Sequence, residues 1–198
     1  MPLRKISHLV IASKQLKKSL TGQSEIYLNR AEYLIIKSIQ LNIIDRRIAR
    51  NIRNIELLRI GNRLRYWKSQ KFQIAFSELV LDAESFFYTS SKFIDLLFEG
   101  LQEPLGFSRR SKSSFLVCKK ILDIRNNLIE HSHRGKRHVA DEVCMNGYNA
   151  RYGPYLRSAK EADGNRPYKD RAYFPLRNGF IKEVLLAINR VTASISQK

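Results

Sequence analysis

The chain has 198 residues, 43% of them apolar, enough for one domain with a real core or a domain plus an extension. Thirty-six Lys and Arg against eighteen Asp and Glu give a formal charge of +18 and a pI near 10.2. Such a field favours polyanionic partners: RNA, DNA or an acidic protein. No apolar run approaches the ~20 residues of a membrane span, so no membrane association is expected. Cys118 and Cys144 form no disulfide framework and no zinc spacing, which makes a cytoplasmic location the default.

The basic excess is uneven. Residues 1–71 hold 16 basic and 4 acidic residues, and residues 72–198 hold 20 and 14. The first 22 residues contain no acid and carry Arg4, Lys5, Lys14, Lys17 and Lys18. They read either as a transit peptide or as a basic amphipathic helix with Leu3, Ile6, Leu9 and Leu16 at helical spacing. Residues 1–22 are therefore taken as an N-terminal helix or extension, and 23–198 as one helical domain. Thr21-Gly22 breaks the first segment, and Ser24 is placed to cap the next helix. From there to about Ile60, Ile35, Ile39, Ile43, Ile48, Ile52 and Ile55 keep a helical rhythm, with Arg46, Arg47, Arg50 and Arg53 on other faces. No heptad array of convincing length stands out. Gly61-Asn62 ends this element.

A second long helix is predicted over about 70–99, where Phe72, Phe76, Leu79, Ala83, Phe86 and Ile94 repeat at threes and fours. Gly100, Pro104 and Gly106 close it. A third covers about 110–130. Residues 132–178 are rich in Gly, Pro and Tyr and read as an irregular insertion too long to be a neutral loop. A final helix runs from about Asn178 to Ser194. The fold class expected is all-α: a helical bundle with long antiparallel helices and an irregular insertion before the last helix.

The third helix carries the most informative stretch, Arg125-Asn126-Asn127-Leu128-Ile129-Glu130-His131. With Phe115 at zero and 100° per residue, Arg125 falls at about 280°, in the middle of the apolar arc. A guanidinium does not lose its charge, and burying it unpaired is very costly. An inward arginine needs an anion, an interface or a solvated cleft. Glu84 and Asp95 on the preceding helix are candidate partners.

An arginine followed by a polar residue and, five positions further, by a histidine at the end of an apolar helix resembles the motif of the HEPN superfamily. Its members carry Arg-x4–6-His in a helical bundle, and many are metal-independent ribonucleases, among them toxins and antiviral defence effectors. The resemblance covers the helices from roughly 70 to 131 and the last helix. It implies an endoribonuclease with Arg125, Asn126 and His131 as catalytic residues, His133 as a rival to His131, no cofactor, and a site completed in a homodimer, with an antitoxin or other acidic protein as a further partner. The chemistry suits these residue types. An imidazole with a pKa near 6.5 can take the 2′-hydroxyl proton or supply one to the 5′ leaving oxygen. A guanidinium can hold two phosphate oxygens as charge builds on them. In an unbroken helix Arg125 and His131 are about 120° apart, so the site needs a helix end or a second subunit. Some HEPN toxins have a tyrosine two residues after the histidine, which a partner nucleotidyltransferase modifies. Here His133 stands at that position, so this modification is not expected.

Around the motif, Arg134, Lys136 and Arg137 form either a solvated basic turn or a phosphate track. His131 and His133 could equally cap the helix C-terminus. Arg46, Arg50 and Arg53 could lie on a nucleic-acid backbone, on an acidic protein partner, or in solvent. Tyr148, Tyr152, Tyr155, Tyr168 and Tyr173, interleaved with Arg151, Arg157, Arg166, Lys169 and Arg171, suit base stacking over a cationic surface or the packing of a loop. The alternative to cleavage is a non-catalytic basic helical module that binds nucleic acid or an acidic protein.

Overall fold

The computed structural model describes residues 5–61, 66–106, 114–126, 143–149, 151, 153–158 and 172–195. Among these residues are six α-helices: α1 (Ser7–Ser19), α2 (Glu25–Gly61), α3 (Gln70–Asp95), the short α4 (Gln102–Leu105), α5 (Leu116–Ile124) and α6 (Tyr173–Ile195). The all-α bundle expected from the sequence is what the chain forms.

Local contacts account for several of the helix ends. The Ser24 carbonyl accepts from the Tyr27 and Leu28 amides and opens α2, which ends at Gly61. The Ser69 hydroxyl accepts from the Phe72 amide at 3.2 Å and caps α3. α3 passes into a widened π-type turn, Leu96–Gly100, and α4 closes on Gly106 in the left-handed conformation (φ 63°).

α2 and α3 are antiparallel partners. Leu34, Leu41, Ile48 and Ile55 are essentially fully buried at seven-residue spacing, as in a coiled-coil seam. This row does not stand out in the sequence because isoleucines also occupy the opposite side. α1 is part of the same core: Ile6, Leu9, Leu16 and Leu20 are buried with the residues of α2, α3 and α6. The N-terminal segment is thus packed as one more helix of the bundle.

The aromatic centre sits between α3 and α6. Phe86 meets Tyr173 edge-on with ring centroids 4.9 Å apart, and Phe93 meets Phe180 at 6.0 Å. α6 begins at Tyr173, five residues before the Asn178 start predicted from the sequence. Pro175 had marked the segment as a loop. In the first turn of a helix the amide that proline lacks has no intrahelical partner to lose.

The described residues 143–149 and 153–158 of the insertion are more regular than its composition suggests. β1 (Val143–Asn149) and β2 (Gly153–Ser158) pair antiparallel, from Val143 opposite Ser158 to Asn149 opposite Gly153, with an irregularity between Cys144 and Gly147. Gly153 (φ 73°) packs against the Phe174 ring, where a Cβ would stand 3.1 Å from a ring carbon. That close approach lays the hairpin on the start of α6.

Candidate active site

The position of α5 is set from α6. Phe115, its N-cap, offers no side-chain hydrogen bond. The Glu183 carboxylate takes over this role from the neighbouring helix. It accepts from the Val117 amide at 3.0 Å and the Cys118 amide at 2.9 Å, a negative charge at a helix N-terminus. The two helices approach so closely at Gly179 that a Cβ there would stand 2.7 Å from a Val117 methyl carbon. α5 then buries Cys118, Ile121, Leu122 and Ile124.

Arg125 follows at the C-cap, and the chain widens into a π-type turn at Arg125–Asn126, a feature frequent at functional sites. The inward placement read from the helical wheel holds: only 14% of the Arg125 side chain is exposed. Its anion is Asp95, the last residue of α3, which accepts from Arg125 Nη1 at 2.8 Å. The Asn126 Oδ1 accepts from Arg125 Nε at 2.9 Å and from Nη2 at 2.7 Å. The guanidinium is thereby oriented from two sides, by a carboxylate across the helix pair and by the neighbouring amide. A pair this far withdrawn from solvent weighs more than a surface ion pair, at about 0–1 kcal/mol, because removing one partner strands the other.

His131, His133, Arg134, Lys136 and Arg137 lie outside the described residues. Arg46, Arg50 and Arg53 are exposed on α2, with Arg50 3.9 Å from Glu78. Glu78 precedes Asp95 by about 25 Å along α3 at 1.5 Å per residue. The α2 arginines are therefore not brought together with Arg125.

A second arginine cluster escaped the sequence reading. Arg177 donates to Asp45 through Nε (2.5 Å) and Nη2 (2.8 Å), and its Nη1 donates to the Asn178 Oδ1 at 2.8 Å. The Tyr173 hydroxyl donates to the same Asp45 at 2.6 Å. Tyr173 is wholly buried, its ring against Phe86 of α3, and offers no face to a base. Burial, followed by the adjacent Asp45 charge, holds its phenol well above the ordinary tyrosine range. Burial opposes the Arg177 charge, but the Asp45 hydrogen bonds and charge outweigh it and raise its pKa. A cavity of about 540 Å³ opens beside the cluster, lined also by Lys5, Arg151 and Phe174. The available signal was the dipeptide itself: Arg177-Asn178 repeats Arg125-Asn126.

A third arginine-paired acid, the buried Asp82, meets Arg47 at 2.9 Å and accepts from Asn51 Nδ2 at 3.3 Å. Burial raises its carboxyl pKa against the lowering pull of Arg47. Among the described residues no cluster of His, Cys, Asp and Glu could hold a metal ion, and no helix is long and apolar enough to cross a membrane. No family model, curated protein or solved structure matches the chain.

Proposed function

We propose that the protein is an endoribonuclease of the HEPN type that cleaves RNA without a metal, with Arg125 as phosphate-binding cation, Asn126 as its orienting partner and His131 as general acid or base. The supporting observation is the Arg125 guanidinium held in a fixed plane at the widened end of α5 by Asp95 and Asn126. Pre-orientation of this kind is what stabilising a transition-state phosphate requires. The 2′-oxygen attacks the phosphorus as its proton is removed, the bond to the 5′-oxygen breaks, and that oxygen receives a proton. The products are a 2′,3′-cyclic phosphate and a free 5′-hydroxyl. The resemblance implies a homodimer with two such motifs face to face, and a role as toxin or antiviral effector in the cytoplasm. His133 is the rival base, and Arg134, Lys136 and Arg137 are the proposed phosphate track.

The Asp95 pair also favours a second reading. A carboxylate already neutralising Arg125 suits a structural arginine, and the protein is then a non-catalytic basic module that binds nucleic acid or an acidic partner. Incubation of single-stranded RNA with the full chain in EDTA separates the two. The first reading predicts cyclic-phosphate ends, lost in His131→Ala with RNA binding retained. RNA binding with a steep salt dependence and no cleavage by the unaltered protein supports the second.

A further inference from the structure

α2 carries a second seven-residue row, on the side away from its buried seam. Ile36, Ile43, Arg50 and Leu57 form it, flanked by Ile39, Arg46, Arg53 and Ile60. With Ile36 at zero, these eight positions fall within an arc of about 120° at 100° per residue. The five apolar side chains of this set are 40–68% exposed. α3 runs alongside with its own exposed row at the same spacing, Ile74, Leu81 and Tyr88. Between the two helices near their Gly61 and Gln70 ends lies an open groove of about 680 Å³, bordered by Arg50, Asn54, Leu57, Lys71, Ile74 and Glu78. Two parallel apolar rows with a groove between them are the geometry that receives a third helix. Exposed apolar side chains aligned on neighbouring helices, here interrupted by arginines, suit an interaction site.

The charges select the occupant. Arg46, Arg50 and Arg53 stand in the middle of the α2 row, with Lys71 across the groove. Glu78 is the acid bordering the groove, and Asp82 is buried and paired with Arg47. A second copy of the chain laid symmetrically along α2 would bring two arginine clusters together. A nucleic-acid backbone would satisfy the arginines but leave Ile36, Ile39, Ile43, Leu57 and Ile60 facing phosphates. An amphipathic helix with an apolar face and glutamates or aspartates beside its centre satisfies both sets.

We propose that the α2/α3 face is a docking slot for an acidic amphipathic helix of a partner protein. The slot spans residues 36–60, about 36 Å of helix. It is independent of RNA cleavage: Arg125 lies at the far end of α3, so either idea can fail while the other stands.

The test uses the full chain and two synthetic amphipathic helices of roughly 25 residues, matched to that span. Both carry the same leucine face, one flanked by glutamates and the other by lysines. Isothermal titration calorimetry is expected to show saturable binding of the glutamate peptide, at least about tenfold tighter than the lysine peptide. Leu57→Glu, Leu81→Glu and the double change Arg46→Glu with Arg50→Glu each weaken it at least about tenfold, with the helical circular dichroism unchanged. Because all four side chains are exposed, the variants keep the core intact. Several results overturn the proposal: no binding of the glutamate peptide, equal binding of the two peptides, or no effect of the variants. A homodimer that Leu57→Glu converts to monomer also overturns it, because a second copy then occupies the slot. So does a single-stranded RNA that displaces the glutamate peptide and itself loses affinity in Leu57→Glu.

Discussion

The ends of α5 and α6 that face the long helices use one device twice. In both, an arginine is followed by an asparagine whose Oδ1 accepts from the guanidinium, and an aspartate from a long helix supplies the countercharge. The difference lies in what closes around the pair. Arg177 sits in the first turns of α6 and meets both oxygens of Asp45, which also accepts from the buried Tyr173 hydroxyl. Arg125 sits where α5 ends and widens, and its Nη1 donates to Asp95. The same chemistry thus serves as a rivet in one place and, on the present proposal, as a phosphate clamp in the other. A buried arginine is not informative by itself. What distinguishes the two uses is where the arginine stands: Arg177 within the first turns of α6, Arg125 at the widened end of α5.

The largest expected effect tests that contrast. Arg177→Leu leaves the Asp45 charge buried beside Tyr173 and should lower unfolding free energy by about 3 kcal/mol, read in a urea titration. Arg125→Leu should cost less, because Asp95 keeps more of its side chain exposed (25%) than Asp45 (19%), while abolishing RNA cleavage. Equal destabilisation with no loss of cleavage would erase the distinction. Gly179→Ala comes next. It places a methyl against Val117, and overpacking of this kind costs about 1–3 kcal/mol. It should also shift α5 and reduce cleavage. Glu183→Gln weakens the cap that α6 gives α5, by about 1 kcal/mol, with hydrogen exchange accelerated at Val117 and Cys118.

Tyr173→Phe is the mildest change at neutral pH, about 1 kcal/mol for one hydrogen bond, and its main effect is on pH dependence. Unfolded tyrosines ionise at about pH 10, whereas buried Tyr173 stays protonated well beyond its ordinary range. The stability this neutral phenol contributes is complete below pH ~10 and is lost as pH rises toward the folded value. Tyr173→Phe should flatten the alkaline fall in melting temperature; an unchanged alkaline limb would contradict the buried phenol.

The long helices were legible because threes and fours of Ile, Leu and Phe repeat between sharp breaks at Thr21-Gly22, Gly61 and Gly100. The inward direction of Arg125 was legible from the same periodicity, and Asp95 was one of two acids positioned to meet it. Other features were hidden for physical reasons. Pairing of Arg177 with Asp45 joins residues far apart in sequence, which no local pattern records. The start of α6 was obscured because Pro175 reads as a breaker except within a helix's first turn. Tyr173 was grouped with the insertion's tyrosines, although its place at the head of α6 makes it a core residue. The buried seam of α2 was masked by the isoleucines of its exposed row, and those isoleucines now define the proposed docking slot.

The most direct measurement is the rate of single-stranded RNA cleavage in EDTA by the unaltered chain and by His131→Ala. The account predicts cleavage that leaves 2′,3′-cyclic phosphate ends, and a loss of at least about a hundredfold in His131→Ala, with melting temperature and RNA affinity unchanged. Absence of cleavage by the unaltered chain, or an equal rate in His131→Ala, would contradict it.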